Sequence, residues 1–293
     1  MSSMVGKQVV ITGGTSGIGR ATAIALARLG ASVAISGRDT KAAANTMAQL
    51  RDDNGRDDFA FHPADLAVMA DVRRLAAELE SSYPAIDVLM NNAGGFFLRR
   101  SETADGLERT FAVNHLSVFL LTNLLRDHLL AADHARIITT SSASHRSGSM
   151  HFDDLGLKEN YSGWAAYGQS KLANVLFTHE LARRIPVATA TANAFHPGFV
   201  RTNLARRHPL LRPIVGLVYM LMAKSPEEGA RTAVYLASSP SVAETSGEYF
   251  VDERQVRSAP QSYDPAAAGR LWQASASMVG LKQEQGFLPK ASR

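Results

Sequence analysis

At 293 residues, 45% apolar and 20% charged, the chain has the composition of an ordinary folded protein with room for one large α/β domain or two small ones. Its net charge of +4 is spread without a charge block, which argues against nucleic acid as a partner. It has no cysteine, so disulfides, thiolate nucleophiles and thiolate metal sites are excluded, and a reducing, cytoplasmic location is expected.

The opening, "MSSMVGKQVVITGG", reaches an apolar run within a few residues, with no basic-then-apolar leader, so secretion is not expected. "QVVITG" (8–13) reads as the first strand and leads into "TGGTSGIG" (12–19), inside which a helix begins. In that strand–loop–helix context Gly13, Gly17 and Gly19 let the backbone turn, approach a pyrophosphate and pack helix on sheet. The candidate dinucleotide loop is therefore Gly13, Thr15, Ser16, Gly17, Ile18 and Gly19, with the helix N-terminus facing the anion. The helix carries Ile18, Ala21, Ala25 and Leu29 on its inner side and stops at Gly30, a position suited to a left-handed cap.

"SVAIS" (32–36) is the second strand. An NAD-selective site has an acidic residue at this strand end, but here Gly37 stands there and Arg38 follows. An arginine can pair with a 2′-phosphate and stack on adenine, so NADP(H) is the expected cofactor. After the third strand, "FAFHPAD" (59–65), Asp65 and Leu66 are candidates for the adenine end, although an aspartate there also starts helices well.

"IDVLMNN" (86–92), "RIITTSS" (136–142) and "TATANAFHP" (189–197) read as strands four to six, and residues 104–132 and 163–185 hold the two longest helical patterns. The alternation predicts an α/β fold, a single Rossmann-type doubly wound parallel β-sheet with helices on both faces. No repeat or linker divides the chain. The expected organisation is one domain over 1–253, interrupted at about 203–225, then a tail over 254–293 with one helix around 264–279. The longest apolar run, "IVGLVYMLMA" (214–223), is about 15 Å as a helix, half of what a bilayer needs, so no transmembrane span is expected.

In "AAYGQSKLANVLF" (165–177), Tyr167 and Lys171 stand at i and i+4 and share one helix face. An ammonium about 4.5 Å from a phenol is worth roughly 3 to 4 kcal/mol at an effective dielectric of about 20, enough to draw the phenol toward the working pH. His115 and His145 have no carboxylate or second histidine at ligand spacing, so they are expected to be structural or solvent-facing and no metal site is expected.

With "NNAG" (91–94), "VNHL" around Asn114, "TSSASH" (140–145) and "YGQSK" (167–171), the sequence resembles the short-chain dehydrogenase/reductase family. "DGLERTFAVNHLSVFLLTNLL", "YGQSKLANVLFTHELARR", "HPGFVRTNL" and "KSPEEGARTAVYLA" are similar to its retinol-dehydrogenase-like branch, and the motifs recur in order over nearly the whole chain.

The resemblance implies a catalytic set of Asn114, Ser142, Tyr167 and Lys171. In it Ser142 holds the substrate oxygen beside Tyr167, the Asn114 backbone supports a water leading from Lys171, and Lys171 also holds the nicotinamide ribose. Ser141 is the rival to Ser142, since adjacent strand residues point to opposite faces. The resemblance further places Asn92, Ala93 and Gly94 on the cofactor, packs Pro197 and Gly198 on the nicotinamide, and gives its carboxamide to Val200 and Thr202.

The segment that follows, "ARRHPLLRPIVGLVYMLMAK" (205–224), stands where the family has a mobile lid over a lipophilic substrate; with Arg206, Arg207 and Arg212 it is also a candidate for peripheral membrane contact. The implied function is NADP(H)-dependent interconversion of a lipophilic aldehyde or ketone and its alcohol, in a homo-oligomer. Reduction of an activated carbon–carbon double bond and a non-catalytic NADPH-binding sensor are the alternatives.

Overall fold

Along β1 (Gln8–Thr12), Val9 and Ile11 enter one apolar layer and Val10 the other. The same alternation separates Val88 and Met90 from Leu89 in β4 (Val88–Asn91), and Ile138 from Ile137 in β5 (Ala135–Thr140). Strands with two apolar faces need cover on both sides, which is the physical origin of the layering in this computed structural model. It describes residues 3–198, 224–282 and 285–288.

The remaining strands are β2 (Ser32–Gly37), β3 (Phe59–Pro63), β6 (Ala190–His196), β7 (Tyr249–Val251) and β8 (Arg254–Gln255). Among the described residues they form one sheet in the order β3-β2-β1-β4-β5-β6-β7-β8, parallel except for the terminal β7–β8 pair. This is the doubly wound arrangement that the alternation predicts. The order reverses between β1 and β4, so a crevice opens there beyond the strand C-termini. β7 and β8 were not foreseen, being too short to show a period of their own.

One face is covered by α1 (Gly17–Arg28), α2 (Thr40–Asn54) and α8 (Pro226–Ser238); the other by α3 (Met69–Ser82), α5 (Ser117–Leu124), α7 (Gly163–Arg184) and α9 (Pro265–Met278). α1 ends as expected before Gly30, whose φ is +102°. Its buried face differs from the expected stripe: Ile18 and Ala21 are buried together with Thr22, Ala23 and Leu26, while Ala25 and Leu29 are only partly buried, because α1 packs on α8 as well as on the sheet.

The helical pattern over 104–132 is broken into pieces: α4 (Arg109–Phe111), a π turn (Ala112–Leu116), α5 and α6 (Arg126–Leu130). The start is set by Glu108, whose two carboxylate oxygens accept from the Thr110 and Phe111 N–H groups at 2.8 and 2.7 Å. In the tail the expected helix is present as α9, where Leu271 and Trp272 pack with Phe119 and Phe177.

Among the described residues no helix is long and apolar enough to cross a membrane, and no cluster of histidine and carboxylate side chains is arranged to hold a metal. Val200, Thr202 and the expected lid up to residue 223 lie outside the described residues.

Candidate active site

The glycine loop bridges β1 and α1 at the crevice. Gly13 (φ +68°) and Gly17 (φ +54°) adopt backbone that disfavours a side chain, and a Cβ on Gly19 would stand 2.3 Å from the Gly13 carbonyl oxygen. The turn is locked to the end of β4 by Thr12, whose hydroxyl accepts from the Asn92 and Ala93 N–H groups at 3.0 and 3.1 Å, and by Asn92, whose Nδ2 donates to the Thr12 carbonyl at 3.0 Å. Ser16 makes no side-chain cap to α1, so the helix N-terminus keeps its donors for an anion. Ile18 turns its side chain into the core.

Arg38 and Asp65 leave the ends of the adjacent strands β2 and β3 and meet at 3.8 Å, both substantially exposed. Leu66 differs: its side chain is buried in the core, which leaves only its backbone for a cofactor contact. A cleft of about 300 Å³ lies between the glycine loop and α2, lined by Thr15, Ser16, Gly17, Arg20, Ala42 and Asn45. Uncapped helix donors, an adjoining cleft and a half-exposed arginine fit a phosphorylated dinucleotide.

The residues expected to handle protons gather past β4 and β5. Lys171 is buried in α7; its Nζ donates to the Thr140 carbonyl at 3.2 Å and stands 5.6 Å from the centre of the Tyr167 ring. Burial lowers the Lys171 pKa to about 8, which leaves it mostly charged at neutrality. A Cβ on Gly94 would lie 3.2 Å from Asn114 Oδ1 and 3.4 Å from Lys171 Nζ, so the bare glycine backbone opens the space above the ammonium.

Asn114 sits in the π turn, where its side chain clasps Gly95, accepting from the N–H at 2.7 Å and donating to the carbonyl at 2.9 Å. Its own carbonyl accepts from Asn174 Nδ2 at 2.9 Å.

The two serines part as strand alternation requires. Ser141 is buried and donates to the Lys171 carbonyl at 2.8 Å, whereas Ser142 is half-buried and caps the following 3₁₀ turn by accepting from Ser144 N–H at 3.2 Å. Pro197 and Gly198 (φ +82°) close the end of β6, and a Cβ on Gly198 would meet the Lys224 side chain at 2.8 Å.

Several neighbours escape sequence reasoning. Phe96 stands edge-on to Tyr167 at 5.5 Å and packs on Trp164 at 4.7 Å, forming an aromatic wall. Trp164 is three residues before Tyr167 on the same helix face, a signal that was available. His115 and His145 are both buried, so neither is solvent-facing. Asn174, one turn after Lys171, was legible as an inward polar residue.

Comparison with known proteins places this geometry. The family described as short chain dehydrogenase matches residues 7–209. Human retinol dehydrogenase 14 is 44% identical over 294 residues, covering 95% of this chain and 88% of that protein. DnrU of Streptomyces sp. (strain C5), a candidate daunorubicin C-13 ketoreductase, is 41% identical over 279 residues, covering 94% and 93%. Among solved structures, an uncharacterized protein of Mycobacterium paratuberculosis superposes with a TM-score of 0.78 at 32% identity, covering 96% of each chain. The RhlG/NADP active-site complex of Pseudomonas aeruginosa gives 0.68 at 30%, covering 85% and 95%.

Proposed function

Because this chain belongs to the short-chain dehydrogenase family and is an oxidoreductase of that kind, we propose that it interconverts a lipophilic aldehyde or ketone and the corresponding alcohol with NADP(H). The observation that carries the reading is Lys171: a buried ammonium held beside the Tyr167 ring, under a side-chain-free Gly94 and next to Asn114. A charge costly to bury is kept where it can act on a phenol.

Residues 1–253 are read as the cofactor domain carrying the catalytic groups, and 254–293 as a supporting tail. Gly13, Thr15, Ser16, Gly17, Ile18 and Gly19 would hold the pyrophosphate, Arg38 the 2′-phosphate, Asp65 and the Leu66 backbone the adenine, and Asn92, Ala93, Gly94, Pro197 and Gly198 the nicotinamide half. The chemistry supplied by a bound nicotinamide is hydride transfer to the carbonyl carbon. Ser142 and Tyr167 hydrogen-bond the carbonyl oxygen, and Tyr167 gives it a proton as the C–O double bond becomes a single bond. Lys171 holds the ribose and favours the phenolate that remains.

Support for the substrate class comes from the aromatic wall of Phe96 and Trp164 and from the retinol dehydrogenase and ketoreductase relatives. The test is loss of NADPH absorbance against a panel of aldehydes, ketones and quinones, repeated with NADH and with Tyr167→Phe. Turnover of carbonyls that is faster with NADPH and abolished in the variant is expected. Turnover only of activated alkenes would shift the reading to double-bond reduction, and NADPH binding with no turnover at all would leave a sensor.

A further inference from the structure

Asn174 is buried one turn beyond Lys171, and its side-chain amide fits its partners in only one orientation. Its Nδ2 bonds two backbone carbonyls, Asn114 at 2.9 Å and Thr140 at 3.2 Å. Carbonyls only accept, so that nitrogen uses both hydrogens there and Oδ1 is left as an acceptor. The partner of Oδ1 is His115 Nδ1 at 3.2 Å, which must therefore carry a proton.

Burial keeps His115 neutral by lowering its pKa to about 4, so its Nε2 is an acceptor for the hydroxyl of Ser275, 2.9 Å away on α9. The chain from Ser275 through His115 to Asn174 thus ends on the carbonyl of Thr140, the one to which Lys171 Nζ donates.

We propose that Asn174, oriented by His115, is a positioning residue that determines where the Lys171 ammonium sits. The inference rests on the role given to Lys171 above. Asn174 ties the end of β5, the π turn and α7 around one point, and it shares the Thr140 oxygen with the ammonium. Were its amide turned over, Oδ1 would face two carbonyl oxygens, and the repulsion would displace the Thr140 oxygen that Lys171 depends on. The two carbonyls set the amide this way round, and His115 reinforces it by donating its Nδ1–H to the oxygen end.

The ionisable groups around this set are Tyr167 on the same helix, His115 in the π turn, and, toward Ser142, His145 and the Tyr249 of β7. No carboxylate among the described residues hydrogen-bonds a member of the set.

His115→Phe is the first variant, since the ring already lies among Phe111, Phe119 and Phe177 at 5.0, 6.4 and 6.2 Å and the replacement should fold. Asn174→Asp is the second, and His115→Gln, which restores a donor, is the rescue. The readouts are kcat/KM against pH for alcohol oxidation with NADP⁺, and NADP⁺ affinity against pH by protein fluorescence.

His115→Phe should lose about tenfold in kcat/KM and Asn174→Asp should move the titrating limb of both profiles up by about one pH unit, because its carboxylate favours the charged lysine. His115→Gln should recover part of the loss. Folded His115→Phe and Asn174→Asp proteins with wild-type profiles in both readouts would overturn the proposal. If the wild type turns over no alcohol or carbonyl, the functional reading fails, while the affinity profile still decides on Asn174.

Discussion

His145 donates its Nδ1–H to the Ser142 carbonyl across 2.6 Å, and its Nε2 accepts from the Ala259 N–H at 3.0 Å. Both bonds require the neutral ring protonated at Nδ1, and burial favours that form by lowering the pKa. The serine is therefore braced from the C-terminal tail. His145→Ala leaves the Ala259 N–H unpaired and the Ser142 carbonyl with only the His145 backbone N–H at 3.1 Å, so a stability loss of about 1 to 3 kcal/mol by urea unfolding is expected. On the role proposed for Ser142, kcat should fall by about tenfold or more with KM for NADPH little changed, since the brace would support the substrate oxygen rather than the dinucleotide.

Lys171 predicts opposite effects on stability and activity. Its folded pKa of about 8 lies below the usual lysine value, so folding disfavours the charged form and the native state gains stability as pH rises from about 8 to above 10. Lys171→Met removes the buried charge while keeping the volume. At pH 7 the variant should be more stable than wild type by about 1 to 3 kcal/mol, with the gap closing toward pH 10.5 and turnover lost throughout. Thermal melts at pH 7 and pH 10 check the sign; a variant less stable at pH 7 would contradict it.

Two glycines of one loop should separate two kinds of cost. Nothing lies within 4 Å of a Cβ on Gly17, so Gly17→Ala costs only its positive φ, about 1 kcal/mol. A Cβ on Gly19 meets the Gly13 carbonyl at 2.3 Å and Asn92 Nδ2 at 2.5 Å, so Gly19→Ala should cost about 2 to 3 kcal/mol or more in the protein without cofactor. Chemical denaturation of both variants tests the ranking.

Arg38→Ala should leave the fold untouched, because the ion pair with Asp65 is long and exposed and such pairs contribute about 0 to 1 kcal/mol. NADPH affinity should drop by about tenfold to a hundredfold while NADH affinity changes little, as expected for loss of a charge-assisted phosphate contact. Equal losses for the two dinucleotides, measured by fluorescence titration, would remove Arg38 from the phosphate site.

Much of the candidate site was legible because its signals are local. The glycine loop, Arg38 after β2 and the Tyr167–Lys171 spacing each lie within a few residues, and β-branched alternation marked the first six strands. The choice between Ser141 and Ser142 needed only strand alternation once the burial of one of them was known. The histidines were expected to be structural or solvent-facing, and sequence could not choose between the two because their partners are remote: Ser275 is 160 residues from His115, and Ala259 is 114 residues from His145.

By itself the order of amino acids determined the doubly wound sheet, the glycine turn between β1 and α1 and the face of α7 that carries a phenol and an amine, since periodicity and backbone freedom act over one or two turns of chain. Packing alone decided that the lysine is buried on the Thr140 carbonyl, that Asn174 shares that oxygen and that the tail holds both histidines neutral. Hydrogen-bond direction and desolvation depend on groups brought together from distant parts of the chain, and no local pattern records them.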